Sequence, residues 1–288
     1  MTTCRPPIAH PSRPAAKLPD GAWDCHCHVF GPEPRFPYAS QRSYTPPDAP
    51  FEAMRSLHAH LGIDHAVIVQ ANCHGFDHSA LIDALDRSGG RYRGVALLPD
   101  GVTRGQVEQL HAAGVRGARF NFVRHLGGPP DMDAFHETAR LIADFGWHVA
   151  LHIDGSDLTA LMPDLASLPV PFIVDHMGRI EAGQGFDAPG FQALLQLSGV
   201  RGAWVKVSGV DRISAGRRPY PDGLAFVRRL AETMPEQLLW GTDWPHPNVS
   251  GDMPDDGELV DLFFEACADS HTRRQILVDN PTRLYDLP

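Results

Sequence analysis

Short apolar runs alternate along the chain with longer stretches in which apolar residues recur every three or four positions. The runs fall at 23–30, 66–70, 94–98, 116–122, 147–152, 171–176, 203–208 and 238–243. The stretches with helical period fall at 51–61, 79–88, 103–113, 133–145, 158–167, 190–198, 222–234, 258–268 and 272–278. Apolar runs of this length, each followed by a helix, imply parallel strands buried on both faces. Eight strand–helix units in one chain predict an α/β fold, a single (β/α)8 TIM barrel spanning 21–288. A doubly wound open sheet is the competing arrangement. It would carry a phosphate-binding glycine loop after its first strand, and Gly31-Pro32 is not one. Residues 1–20 are Pro-rich and polar, and predict an extended N-terminal arm.

In the first run, Trp23-Asp24-Cys25-His26-Cys27-His28, residues two apart share a side of a strand. His26 and His28 then project together with Asp24 behind them, and Cys25 and Cys27 face outward as small apolar residues. With sixteen His in the chain, this pair alone says little. The fourth run says more. Ala118, Phe120 and Phe122 fall on one side, under the helices, and Gly117, Arg119 and Asn121 on the other. An arginine aimed into a barrel is expensive unless an anion meets it. Barrel enzymes place their chemistry at the carboxyl ends of the strands. Those ends carry His26 and His28, Asn72, Arg119 and Asn121, His152, His176 and Asp243.

A formal charge of −10 argues against nucleic acid or an anionic membrane as partner, but leaves room for a small anionic substrate met by local arginines. The five cysteines are odd in number in a large chain, which argues against a disulfide framework. No run approaches the ~20 apolar residues of a membrane span, and the N-terminus lacks a signal-type apolar segment. A cytoplasmic monomer or homodimer is expected. The loop 31–50 is long enough to serve a site, with Tyr44 as its candidate contact.

The runs Asp24-Cys25-His26-Cys27-His28, Asp175-His176-Met177-Gly178-Arg179, Trp240-Gly241-Thr242-Asp243-Trp244-Pro245-His246 and Asn280-Pro281-Thr282-Arg283-Leu284-Tyr285 resemble the amidohydrolase superfamily, in its amidohydrolase-2 branch, over about residues 20–287. Further runs, Val29-Phe30-Gly31-Pro32, Arg42 to Pro46, Cys73-His74-Gly75 and Arg119-Phe120-Asn121-Phe122, resemble the pyrone-dicarboxylate lactonases of that branch. The resemblance implies hydrolysis of an anionic, dicarboxylic lactone such as 2-pyrone-4,6-dicarboxylate, in the catabolism of aromatic compounds. Asp243 would be the general base, and His26, His28 and His176 would polarise the carbonyl oxygen. Arg119 and Arg212 would grip the carboxylates, with Tyr44, Asn72, Arg124, His125, His152 and Asn248 as further contacts.

Three places depart from the lactonase pattern: Arg124-His125 where Lys-Arg is expected, Asn72 where Ser is expected, and His152 where Tyr is expected. These lactonases need no metal, which is the leading expectation here. Other members of the branch hold one Zn²⁺ through a set that His26, His28, His152 and Asp243 would supply. A zinc-dependent hydrolase or decarboxylase acting on a different small carboxylic acid is therefore the alternative.

Overall fold

The computed structural model describes residues 2–215, 218–249 and 251–285. Eight strands form one parallel sheet: β1 (Trp23–Cys27), β2 (His65–Val69), β3 (Tyr92–Leu97), β4 (Val115–Asn121), β5 (His148–His152), β6 (Phe172–Val174), β7 (Ala203–Lys206) and β8 (Leu238–Leu239). Each strand pairs with its neighbours in sequence, in unbroken order. Backbone bonds close the ring between β1 and the segment leaving β8: Cys25 N–H to the Trp240 carbonyl (2.8 Å), Asp243 N–H to that of His26 (2.7 Å) and His28 N–H to that of Trp244 (2.8 Å). The architecture is the (β/α)8 barrel that the alternation predicts, and the unbroken order rules out a doubly wound sheet.

The helices cover the barrel as the 3.6-residue period requires. In α1 (Phe51–Leu61), Phe51, Met54, Leu57, His58 and Leu61 turn inward. In α2 (Ser79–Arg87), Ala80, Leu81, Ala84 and Leu85 do so, each large side chain contributing roughly 2 kcal/mol by burial. Thr103 and Gln106 form a reciprocal capping box that starts α3 (Arg104–Ala112).

Two apolar layers result. One lies between strands and helices and includes Ala66, Ile68, Ala118, Val149, Leu151 and Val205. The other fills the barrel below the mouth with Trp23, Cys25, Val67, Val95, Ile173 and Leu239, and Tyr285 seals its base. The outward turn of Ala118 and Phe122 and the inward turn of Arg119 follow the alternation of β4.

β1 does not follow simple alternation. Asp24 pairs with Ala66 and Cys27 with Ile68, so three steps on β1 match two on β2. This bulge places both Cys25 and His26 on the inner side. Asp24 faces outward, toward His58 of α1, and is not behind the histidine pair; Cys25 faces the barrel interior, not the helices. Cys27 faces outward, and all five cysteines are free.

Residues 4–22 form no helix or strand. They run along the barrel, held by Ser12 N–H on the Asp255 carboxylate (3.0 Å) and Ala15 N–H on Asp261 (2.7 Å). The arm passes so close to Gly257 that a Cβ there would lie 2.0 Å from the Ser12 carbonyl oxygen. Thr2–Thr3 pairs with Tyr44–Thr45, which ties the arm to the long first loop. Among the described residues, no helix is long and apolar enough to cross a membrane.

Candidate active site

His26, His28, His176 and Asp243 converge at the carboxyl mouth. His28 follows β1, and its Nδ1–H donates to the Val69 carbonyl (2.8 Å), which fixes the ring. His176 follows β6 at φ 51°, with Nδ1 2.9 Å from Ser208 Oγ. Asp243 sits beyond β8 at φ 64°. Such left-handed backbone in non-glycine residues costs energy that the surrounding packing must offset, and it concentrates where side chains are aimed for chemistry.

One carboxylate oxygen, Asp243 Oδ1, faces three imidazoles: His28 Nε2 at 3.3 Å, His26 Nε2 at 3.7 Å and His176 Nε2 at 3.7 Å. The other oxygen is clamped by Arg212, with Nε at 2.6 Å and Nη2 at 2.5 Å. His26 Nε2 has no hydrogen-bond partner.

The electrostatics fix the charge states. Burial, then the Lys206 ammonium, pushes His26 down to about 3. Burial also holds His176 and His152 well below the usual histidine range. For Asp243, burial works upward, but the Arg212 guanidinium outweighs it and holds the carboxyl well below the usual range. An ionised Asp243 therefore stands among neutral imidazoles at His26 and His176.

The mouth opens into a cavity of about 690 Å³. Tyr44, Asn72, Arg119, His125, His152, Arg212 and Asn248 line it beside His28, His176 and Asp243. His26 lies behind that wall, and Arg124 is exposed and is not part of it. Arg119 is buried, and its Nε has no hydrogen-bond partner. Asn72, Asn121 and His152 form a polar chain, with Asn121 Nδ2 on Asn72 Oδ1 (3.0 Å) and His152 Nδ1 against Asn121 Oδ1 (3.2 Å).

Sequence reasoning missed Arg179, Arg218 and Tyr220, which line the outer cavity from loops. It also missed Lys206 and Asp175 beneath His26. The signal for Lys206 was present: Trp204 and Lys206 alternate on β7 as Gly117 and Arg119 do on β4.

The donor atoms of His26, His28 and Asp243 lie within 4.8 Å of one another, close enough to share a cation. His152, expected as the fourth member of such a set, lies outside that group, with its Nδ1 3.2 Å from Asn121 Oδ1.

A parallel barrel with imidazoles, a carboxylate and arginines at its carboxyl mouth is the architecture of a barrel hydrolase. The chain belongs to the amidohydrolase family, in its amidohydrolase-2 branch: the family model for amidohydrolases matches residues 23–287. It is similar to the 2-pyrone-4,6-dicarboxylate hydrolase of Comamonas testosteroni (44% identity, covering 96% of this chain and 94% of that protein). It is also similar to the 4-sulfomuconolactone hydrolase of Hydrogenophaga intermedia (38%, covering 93% and 89%). Among solved structures, a probable 2-pyrone-4,6-dicarboxylic acid hydrolase from Acinetobacter baumannii with bound citric acid superposes with a TM-score of 0.82 (26%, covering 93% and 100%).

Proposed function

We propose that this chain hydrolyses an anionic, dicarboxylic lactone of the 2-pyrone-4,6-dicarboxylate type, with Asp243 as general base and no metal ion. One observation carries the reading: an ionised carboxylate at the floor of a cavity faces three imidazoles, two of them in the cavity lining and His26 behind it, and the cavity wall holds Arg119, Arg179, Arg212 and Arg218. The relatives that open pyrone and muconic lactones, and the citrate in the Acinetobacter structure, support an anionic substrate.

His28 adds a detail. Its Nδ1–H is committed to the Val69 carbonyl, which turns Nε2 toward Asp243 Oδ1, 3.3 Å away. A water molecule beside that pair lies within reach of both atoms. The water oxygen bonds to the lactone carbonyl carbon as Asp243 takes its proton. His176, which lines the cavity, and His26 from behind it stabilise the negative charge that develops on the carbonyl oxygen. The ring C–O bond then breaks, the new carboxylate stays on that carbon, and the departing oxygen takes up the proton. Arg119 anchors one substrate carboxylate. Arg212 uses Nε and Nη2 on Asp243 and on the Pro247 carbonyl, leaving Nη1 as its remaining donor group for the other.

A second reading rests on the same His28 geometry, since a cation could fill the space between its Nε2 and Asp243. His26, His28 and Asp243 would hold that ion, and it would polarise the carbonyl and acidify water. Arg212 beside Asp243 and Lys206 beside His26 place positive charge against such an ion, which favours the metal-free reading.

The test follows loss of pyrone absorbance with 2-pyrone-4,6-dicarboxylate, before and after exhaustive chelation, with 4-sulfomuconolactone as a parallel substrate. Turnover that survives chelation is expected. Activity lost on chelation and restored by zinc supports the second reading, and inertness toward both lactones defeats both.

A further inference from the structure

Beneath the imidazoles lies a buried ion pair that the proposed reaction does not use. Lys206 points from β7 into the barrel and is fully buried. Its Nζ lies 3.0 Å from Asp175 Oδ1 and 3.1 Å from His26 Nδ1. The other Asp175 oxygen lies 3.7 Å from Nε of Arg119. A buried ammonium costs several kcal/mol unless a counter-charge meets it, so the pair has to be explained as a unit.

We infer that Lys206 and Asp175 are positioning residues that hold His26 as a hydrogen-bond donor toward the substrate carbonyl. An ammonium has donors only, so the nitrogen it faces must present a lone pair. His26 Nδ1 is that nitrogen, and the ring proton is left on Nε2. The unpartnered His26 Nε2 is the atom that faces Asp243 across the mouth, at 3.7 Å. Asp175 Oδ1 is also 3.4 Å from Nδ1 and would favour a proton there, but Lys206 Nζ lies nearer to each atom, pairing with the carboxylate at 3.0 Å and hydrogen-bonding Nδ1 at 3.1 Å. With its other oxygen turned toward Arg119, Asp175 ties the carbonyl-polarising imidazole to the substrate-anchoring guanidinium.

This assignment rests on the metal-free lactonase reading, because a ring proton on Nε2 bars that nitrogen from ligating a metal. The first test needs no substrate and no variant. Nitrogen-15 NMR of histidine-labelled wild-type protein should show His26 with a proton on Nε2 and a bare Nδ1. A proton on Nδ1 overturns the inference whatever the activity proves to be, whereas failure to open any lactone overturns only the function proposed above. The second test is Lys206→Met. A roughly 100-fold fall in kcat with KM within threefold is expected, the scale of losing one preorganised donor, together with a shift of the His26 tautomer. An unchanged kcat in a folded Lys206→Met variant overturns the inference.

Discussion

Two groups of histidine and aspartate lie back to back across β1, and they behave differently. On the outer side, Asp24 accepts from the N–H groups of His26 and Thr242 (both 3.0 Å), from Thr242 Oγ (2.6 Å) and from His58 Nε2 (3.2 Å). His58 Nδ1 in turn meets the Tyr92 hydroxyl at 3.1 Å. Asp24, His58 and Cys27 are close enough to suggest a metal site, but the first two have their hydrogen-bonding capacity engaged. Burial also pushes the Cys27 thiol well up, so it stays neutral. On the inner side, Asp243 Oδ1 faces the His26 and His176 nitrogens at 3.7 Å, beyond ordinary hydrogen-bond reach, and His26 Nε2 and Arg119 Nε have no hydrogen-bond partner. The same residue types thus make a brace where their bonds are complete and a reactive site where they are not. The two sides are joined, because Asp24 holds Thr242, the residue before Asp243.

The sharpest way to break this contrast is Asp243→Asn. It should lower kcat by about 10³-fold or more, as expected for loss of a general base, while circular dichroism stays that of the wild type. Arg119→Met comes next. It should raise KM about 100-fold, equivalent to one charge-assisted contact of ~2.7 kcal/mol, with kcat within a few-fold in steady-state assays. Asp24→Asn should act in the opposite sense. It places an amide donor against His58 Nε2, costs about 2 kcal/mol in urea unfolding, and leaves the kcat of the folded protein within threefold.

A separate effect, on acid stability, needs no variant. His26 and His148, both buried, are pushed down to about 3, against roughly 6.5 in an unfolded chain. Below pH 6.5 the unfolded state binds protons that the folded state refuses, so stability falls as pH drops from about 6.5 toward 3. The slope should be on the order of 1 kcal/mol per pH unit for each ring. Asp243 and Asp175, held well below the carboxylate range, add their own loss only below about pH 4. Urea midpoints between pH 7 and 4 would check this; a flat profile contradicts the neutral, buried imidazoles.

The barrel was legible because parallel strands buried on both faces leave apolar runs that helices must separate. Arg119 was legible because a charge on the inner register of β4 needs an anion. β1 was misread at Asp24 and Cys25, because a bulge inserts one residue without changing composition and the register is visible only against β2. His152 was legible as a cavity residue from its type and strand end, whereas its engagement with Asn121 depends on side-chain geometry. Arg179, Arg218 and Tyr220 reach the cavity from loops whose path no periodicity records.

The account stands or falls on where the attacking oxygen goes. A single turnover of 2-pyrone-4,6-dicarboxylate in ¹⁸O-water, analysed by mass spectrometry, should place one heavy oxygen in the newly formed carboxylate. A new carboxylate without label, or ring opening at an undiminished rate by Asp243→Asn, would contradict water attack on the carbonyl from the inner cluster.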